Sequence, residues 1–242
     1  MSNITVLNNI DHGALKVDVN PASNPSLNVN RTQVYASEIA DLQKEFPVLI
    51  YRDEATEALQ LHAILGLEKD ENLFLDDNGW TTRFVPSLLA RGPFSIGYPK
   101  VSEEGEKPTP MICIDLDDAR VNEASGEDIF LPMGGESGYL QYVKKALQTV
   151  ETGAQYNQTL FALVTEMDLL EPVSVEIKLS NVEQVKLNNY YTINQQKLAA
   201  LAPEQLARLN QYGMLGPLFL LMASMGNFQQ LIALKNARNA MI

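Results

Sequence analysis

The stretch from Phe46 to Phe94 constrains this chain more than any other. It holds the apolar run Phe46-Pro47-Val48-Leu49-Ile50-Tyr51, the turn sequence Asp76-Asp77-Asn78-Gly79 directly before the only tryptophan, Trp80, and then Phe84-Val85-Pro86 and Arg91-Gly92-Pro93-Phe94. A short apolar run rich in β-branched and aromatic residues and bounded by proline reads as a strand. Asn-Gly between apolar residues is a strong hairpin signal, because glycine accepts the positive φ that a tight turn needs. Pro86 can open a short helix over 86–90, since a proline at the first helical position removes no hydrogen bond. The region therefore encodes strands, a hairpin and a helical turn, and excludes an all-helical fold.

The rest of the chain extends this pattern. Segments 59–67, 94–98, 111–116, 173–177 and 190–193 read as strands, the first alternating as if one face were wet and one dry. Ser37 can cap a short helix that Phe46-Pro47 ends. A long amphipathic helix is expected from about Ser137 to Leu170, with Tyr139, Tyr142, Val143, Ala146, Leu147 and Val150 at helical spacing and Pro172 as its stop. Two closing helices begin at Ala202-Pro203-Glu204 and Gly216-Pro217. Residues 99–108 read as a charged loop. The fold class expected is α+β, with a mixed or mainly antiparallel sheet from the first half packed by helices from the second. Residues 1–33, rich in Asn, Asp, Ser and Pro with turn signals at Asn20-Pro21 and Asn24-Pro25, read as a loop-rich arm. Residues 34–242 read as a single domain.

Charge and cysteine usage narrow the function classes. Lys and Arg number 18 against 30 Asp and Glu, a formal charge of -12. So negative a surface repels phosphate backbones and anionic headgroups, which argues against nucleic-acid and electrostatic membrane binding. The single cysteine, Cys113, cannot form an internal disulfide, and His12 and His62 are the only histidines, so neither a disulfide framework nor a His/Cys metal set is expected. Met1-Ser2-Asn3-Ile4-Thr5 lacks the pattern of a secretory signal. The longest apolar stretch, Met214 to Ala223, falls short of the roughly 20 residues that cross a bilayer. A soluble, acidic, cytoplasmic protein without a membrane span is the expectation.

Chemical motifs are few. Asp115-Leu116-Asp117-Asp118 has carboxylates at the end of a strand, a pattern more common in solvated turns than in metal sites. Asp76-Asp77-Asn78-Gly79 lacks the spacing and terminal Glu of a calcium loop. His62 reads as a satisfied histidine rather than a base. Gly134-Gly135-Glu136-Ser137-Gly138 is no nucleophile elbow and reads as a helix entry, although amides at a helix start attract anions. No catalytic set, metal or cofactor motif stands out.

Several pieces together resemble the signature of SapC-related proteins: Val34-Tyr35-Ala36-Ser37-Glu38, Phe46-Pro47-Val48, Leu65-Gly66-Leu67, Asn72-Leu73-Phe74, Asp77-Asn78-Gly79-Trp80, Phe84-Val85-Pro86 and Arg91-Gly92-Pro93-Phe94. Ile193-Asn194-Gln195-Gln196-Lys197-Leu198 and Ser224-Met225-Gly226-Asn227 are similar to that family's closing part. The family is usually written with two arginines before an aromatic-Pro-Phe; here Ala90-Arg91-Gly92-Pro93-Phe94 keeps one arginine and has glycine for the aromatic. Family members often carry a permease label, which this sequence does not fit. Relatives often sit beside genes for tryptophan-halogenase-like flavoenzymes, cupin-like proteins and TonB-dependent receptors. The resemblance implies a non-catalytic accessory or binding protein, acting beside such an oxidoreductase or a surface-protein export system. The alternative it leaves open is an enzyme with a site of scattered residues that takes part in oxidative modification of an aromatic or peptide substrate.

One constellation combines binding chemistry with close spacing. Trp80, Arg83, Phe84, Arg91 and Phe94 fall where a hairpin and a short helix can bring them to one rim. Arginine grips carboxylates with a planar fork, so Arg83 and Arg91 are expected to hold an anionic ligand or protein partner, with Trp80 and Phe94 as apolar walls. The structural reading beside it places Trp80 and Phe94 in the core and pairs the arginines with Asp76 or Asp77.

Overall fold

The computed structural model describes residues 3–21, 24–98, 109–173, 176–178, 184–186 and 188–240. The loop expected over 99–108 lies outside the described residues. The first half sets out strands β1 (Ile4–Val6), β2 (Lys16–Val17) and β3 (Arg31–Val34), helix α1 (Ile39–Leu42), strands β4 (Val48–Arg52), β5 (Leu59–Ile64), β6 (Leu75–Asp76) and β7 (Gly79–Trp80), helix α2 (Ser87–Ala90), and strands β8 (Phe94–Gly97), β9 (Met111–Asp115), β10 (Val121–Asn122) and β11 (Glu127–Asp128). The second half holds helix α3 (Gly138–Glu166), strands β12 (Leu170–Pro172), β13 (Glu176–Lys178), β14 (Gln184–Lys186) and β15 (Tyr190–Ile193), and helices α4 (Gln195–Ala199), α5 (Pro203–Gln211), α6 (Leu215–Ser224) and α7 (Phe228–Asn239). The fold is α+β, and its described strand ladders are antiparallel.

The chain parts into two compact units, Met1–Leu27 with Leu75–Thr81 and Ser87–Glu151, and Asn28–Phe74 with Thr82–Pro86 and Thr152–Ile242. The sequence reading draws no such division. It also treats 1–33 as an arm, whereas β1 and β2 are paired strands and β3 begins at Arg31.

In the first unit a three-stranded sheet runs β1-β9-β8, and β2 is flanked by β10 and β11 in a small ribbon. Phe94 pairs with Ile114 and Ile96 with Ile112, so these four side chains share one face. Leu140, Val143 and Leu147 of α3 recur at i, i+3 and i+7 and close a core over Phe94, Ile114, Val17 and Ile129. The hairpin β6–β7 pairs Asp76 with Gly79. Its two-residue connection is Asp77-Asn78, one position before the expected Asn78-Gly79. Gly79 takes φ +125° and the Asn78 amide donates to the Asp76 carboxylate at 2.7 Å.

In the second unit the sheet order is β12-β15-β4-β5-β3. Val48, Leu49, Ile50, Leu61, Ala63 and Ile64 are all buried, so β4 and β5 are covered on both faces, which the run Val48-Leu49-Ile50 anticipates and the expected wet face of β5 does not. Pro172 does not stop α3, which ends at Glu166; it lies in the edge strand β12, where its missing N–H costs the ladder nothing.

Polar side chains, buried at Asn157 and Ser224 and half-buried at Asn227, tie this unit together. The Asn157 amide donates to Val34 O at 3.0 Å and accepts from Ala36 N at 2.8 Å. The Ser224 hydroxyl accepts from Val48 N at 3.0 Å and donates to Leu221 O at 2.6 Å. Asn227 Nδ2 donates to Gln43 O at 2.7 Å and Phe46 O at 2.9 Å. Each bond satisfies backbone groups that strand or helix ladders leave open. Through α6, a 3-10 turn and α7, residues Leu215–Asn239 form one helical run of 25 residues with a window of mean hydropathy 1.3, long and apolar enough to cross a membrane by length and composition. The run is thus longer than the apolar stretch that the sequence displays. Its inward side carries the polar ties of Ser224 and Asn227, and core helices of soluble proteins pass the same test.

Candidate functional site

The four expected site residues take different places. Phe94 is fully buried, in the core cluster of the first unit and in edge-to-face contact with Tyr139 at 6.2 Å between ring centroids. It is a core residue, not a wall at a rim. Trp80 is half-buried in β7, where it pairs with Leu75. Arg83 belongs to the second unit; its Nε donates to the Glu45 carboxylate at 2.7 Å and its guanidinium stands 5.7 Å from the centre of the Phe84 ring. It pairs with neither Asp76 nor Asp77.

Arg91 differs from Arg83. It follows α2 at the turn into β8, where Gly92 takes φ +58°, a conformation that favours glycine, and a Cβ there would stand 3.2 Å from the Tyr139 hydroxyl. The Arg91 side chain folds back so that Nη1 donates to Phe94 O at 2.7 Å. Its Nε is buried without a hydrogen-bond partner, and among the described residues no carboxylate lies within ion-pair distance of it. A half-buried guanidinium without a carboxylate partner can hold an anion, because partial burial strengthens its field.

Arg91 lines a groove of about 390 Å³ between β8 and α3, with Leu88, Ser95, Ile96, Tyr98, Leu147, Val150 and Glu151. A second hollow of about 570 Å³ shares Ile96, Leu147 and Glu151 and runs on past Ile112 and Met111 to Lys144 and Lys145. The floor is apolar. Two carboxylates also line this surface, and both are engaged: Glu136 pairs with Lys144 at 2.6 Å, and Glu151 accepts the Tyr98 hydroxyl. That bond, followed by burial, pushes the Tyr98 phenol up from its ordinary value. Lys145 is exposed and makes no ion pair among the described residues. The groove thus joins apolar side chains to an arginine without a carboxylate partner at one end and lysines at the other. It suits a ligand with an apolar body and a carboxylate.

A polar cluster in the second unit escaped the sequence reading. His62 stacks on Tyr51 at 5.0 Å, and its Nδ1 and Nε2 lie 3.2 Å from Tyr190 Oη and 2.9 Å from Gln60 Oε1. Arg31 donates to Tyr190 Oη at 3.2 Å and lies over the Tyr51 ring at 5.2 Å. Burial, aided by the Arg31 charge, pulls the imidazole down to about 4. His62 is therefore neutral and hydrogen-bonded, as the sequence reading has it. The signal was the β-sheet register, which sets Leu49 opposite His62 and Tyr51 opposite both Gln60 and Tyr190.

The acidic run after β9 is a turn: Asp118 makes a two-bond pair with Arg120 at 2.8 and 2.6 Å, and that bond holds its carboxyl below the usual range despite partial burial. Among the described residues no group of three or more His, Cys, Asp or Glu side chains is placed to hold a metal ion. The SapC family model matches residues 7–231. No curated protein and no solved structure matches the chain.

Proposed function

The chain belongs to the SapC family, and from that premise we propose that it is a non-catalytic binding protein whose first unit holds an anionic ligand or protein partner in the groove beside Arg91. The observation that carries this reading is the Arg91 guanidinium, which lines an apolar groove and has no carboxylate partner among the described residues. A role beside a tryptophan-halogenase-like or cupin-like oxidoreductase, or a surface-protein export system, in the cytoplasm, is the biological setting that the family resemblance implies. Arg83, satisfied by Glu45, has no part in the site. Phe94 supports it from the core by offering its carbonyl to Arg91.

The test is a titration of the full chain with 4-phenylbutyrate, an apolar body bearing one carboxylate, followed by the Arg91 Nε–Hε resonance in nuclear magnetic resonance. The resonance is expected to shift saturably. Arg91→Gln should weaken binding about 10- to 100-fold, the equivalent of a charge-assisted bond of about 1.5–3 kcal/mol. Binding that is unchanged in Arg91→Gln refutes the assignment.

A further inference from the structure

We propose that the groove beside Arg91 takes an extended acidic peptide, which adds as a strand to the free edge of β8; this rests on the anion-holding role of Arg91 and names the class of its partner. β8 is the outer strand of the β1-β9-β8 sheet. The Asp115 amide donates to Pro93 O at 3.1 Å, and the register pairs Ser95 with Cys113 and Gly97 with Met111. Antiparallel strands alternate bonded and non-bonded pairs, so Ser95 and Gly97 exchange bonds with β9 while Phe94 and Ile96 turn their peptide groups outward.

Phe94 is spoken for at that edge. Its N–H donates to Arg91 O at 3.2 Å and its carbonyl accepts Arg91 Nη1 at 2.7 Å. Ile96 is not: its N–H and C=O face the edge with no backbone partner among the described residues. Arg91 therefore closes one end of a strand edge whose next outward residue is open, and both line the same groove opposite Leu147, Val150 and Glu151 of α3. An extended segment laid along the edge would bond Ile96 through its main chain and seat an alternate side chain against Ile96 and Leu147. A carboxylate at that segment's end, or on an acidic side chain, would reach Arg91. Main-chain bonds give such a mode affinity and alternate side-chain pockets give it specificity. Charge fits as well, because Arg91, Lys144 and Lys145 along this surface outnumber its two carboxylates, Glu136 and Glu151, and neither Arg91 nor Lys145 has an acidic partner among the described residues.

The experiment presents the full chain with N-acetylated heptapeptide pools, randomised except for one Glu moved through the positions, beside matched pools with Gln in its place. The readouts are amide hydrogen exchange at Ile96 and the Arg91 Nε–Hε resonance. The Glu pools are expected to shift Arg91 and slow Ile96 exchange at least tenfold, the Gln pools neither. The best peptide is then remade with one N-methyl group at each position in turn. Ile96 is the open residue of this edge and exchanges bonds with a single peptide residue, so N-methylation of that residue should weaken binding at least tenfold and of the residues on either side less than about twofold. A methylation profile without that one sensitive position overturns strand addition. If 4-phenylbutyrate shifts Arg91 but no pool protects Ile96, strand addition falls and the anion site stands; if neither probe shifts Arg91, both fall.

Discussion

Gly153, within α3, lies against the ring of Tyr35: a Cβ on Gly153 would stand 2.3 Å from Tyr35 Cγ, closer than two atoms can approach without displacement. The residue that is poorest in a helix, proline apart, is thus required in the middle of one, because the helix passes an aromatic ring at backbone distance.

The sign of Gly153→Ala follows. Helix propensity alone would favour alanine by about 1 kcal/mol. Overpacking a buried contact costs about 1–3 kcal/mol, and Tyr35 is itself buried and cannot swing aside into solvent. The net expectation is a variant less stable by up to about 2 kcal/mol in urea unfolding. A stabilised variant would show that Tyr35 yields.

Lys235 is 5% exposed and sits between two carboxylates, 2.8 Å from Glu71 and 2.6 Å from Glu68. Burial pushes the Glu71 carboxyl up, but hydrogen bonds from Lys235 and from the Leu67 and Glu68 amides outweigh it and hold it below its ordinary value. Lys235→Met should cost about 3 kcal/mol by leaving the Glu71 charge uncompensated. Adding Glu71→Gln removes that charge while keeping an acceptor for the two amides, so the double variant should be more stable than Lys235→Met alone. Simple additivity of the two losses would contradict the pairing.

His62 makes stability depend on pH. Its native value near 4 lies below the ordinary value of 6.5, so between these limits the unfolded chain binds the extra proton. The stabilisation from a neutral His62 is whole above about pH 6.5 and is lost as pH falls towards about 4, a change of about 3 kcal/mol. Denaturant unfolding from pH 7.5 to 4 should show this excess slope in the natural chain and not in His62→Gln. Equal slopes would place His62 in a more solvated setting.

Arg83 offers a contrast with Arg91. Its side chain is 72% exposed, so its pair with Glu45 is solvent-screened and Arg83→Ala should change stability by less than about 1 kcal/mol. Binding of 4-phenylbutyrate in the first unit should also be unaffected. A loss of binding in this variant would return Arg83 to the site.

The local signals in the sequence were sound where neighbours in sequence decide structure. The Pro47-bounded run became β4, the Asn-Gly signal a hairpin, and Val143 and Leu147 of the expected helical stripe lie on the core face of α3, where the unexpected Leu140 joins them and Tyr142 stays exposed. Partnerships between distant residues were not legible. Glu45, 38 residues before Arg83, and not Asp76 or Asp77, takes its charge. α7 was missed because Gln229, Gln230, Asn236 and Arg238 break any apolar stripe and its buried cation, Lys235, looks like a surface residue until Glu68 and Glu71 are placed beside it. At the candidate site, Arg91 was visible as an arginine near a turn, but its spare donor depends on the carbonyl of Phe94, which only the register of β8 and β9 fixes.

The place of β4 bears on how this protein is made. One neighbour in the sheet, β5, follows it closely in the chain; the other, β15, and Ser224, which satisfies the first amide of β4, come from the final quarter. On a ribosome, the middle of this sheet emerges long before its second edge exists. Contacts so far apart in sequence close slowly. The apolar run Val48-Leu49-Ile50 must therefore wait with an open edge until β15 has been made, and a chain that stops before α6 cannot complete the fold it has begun.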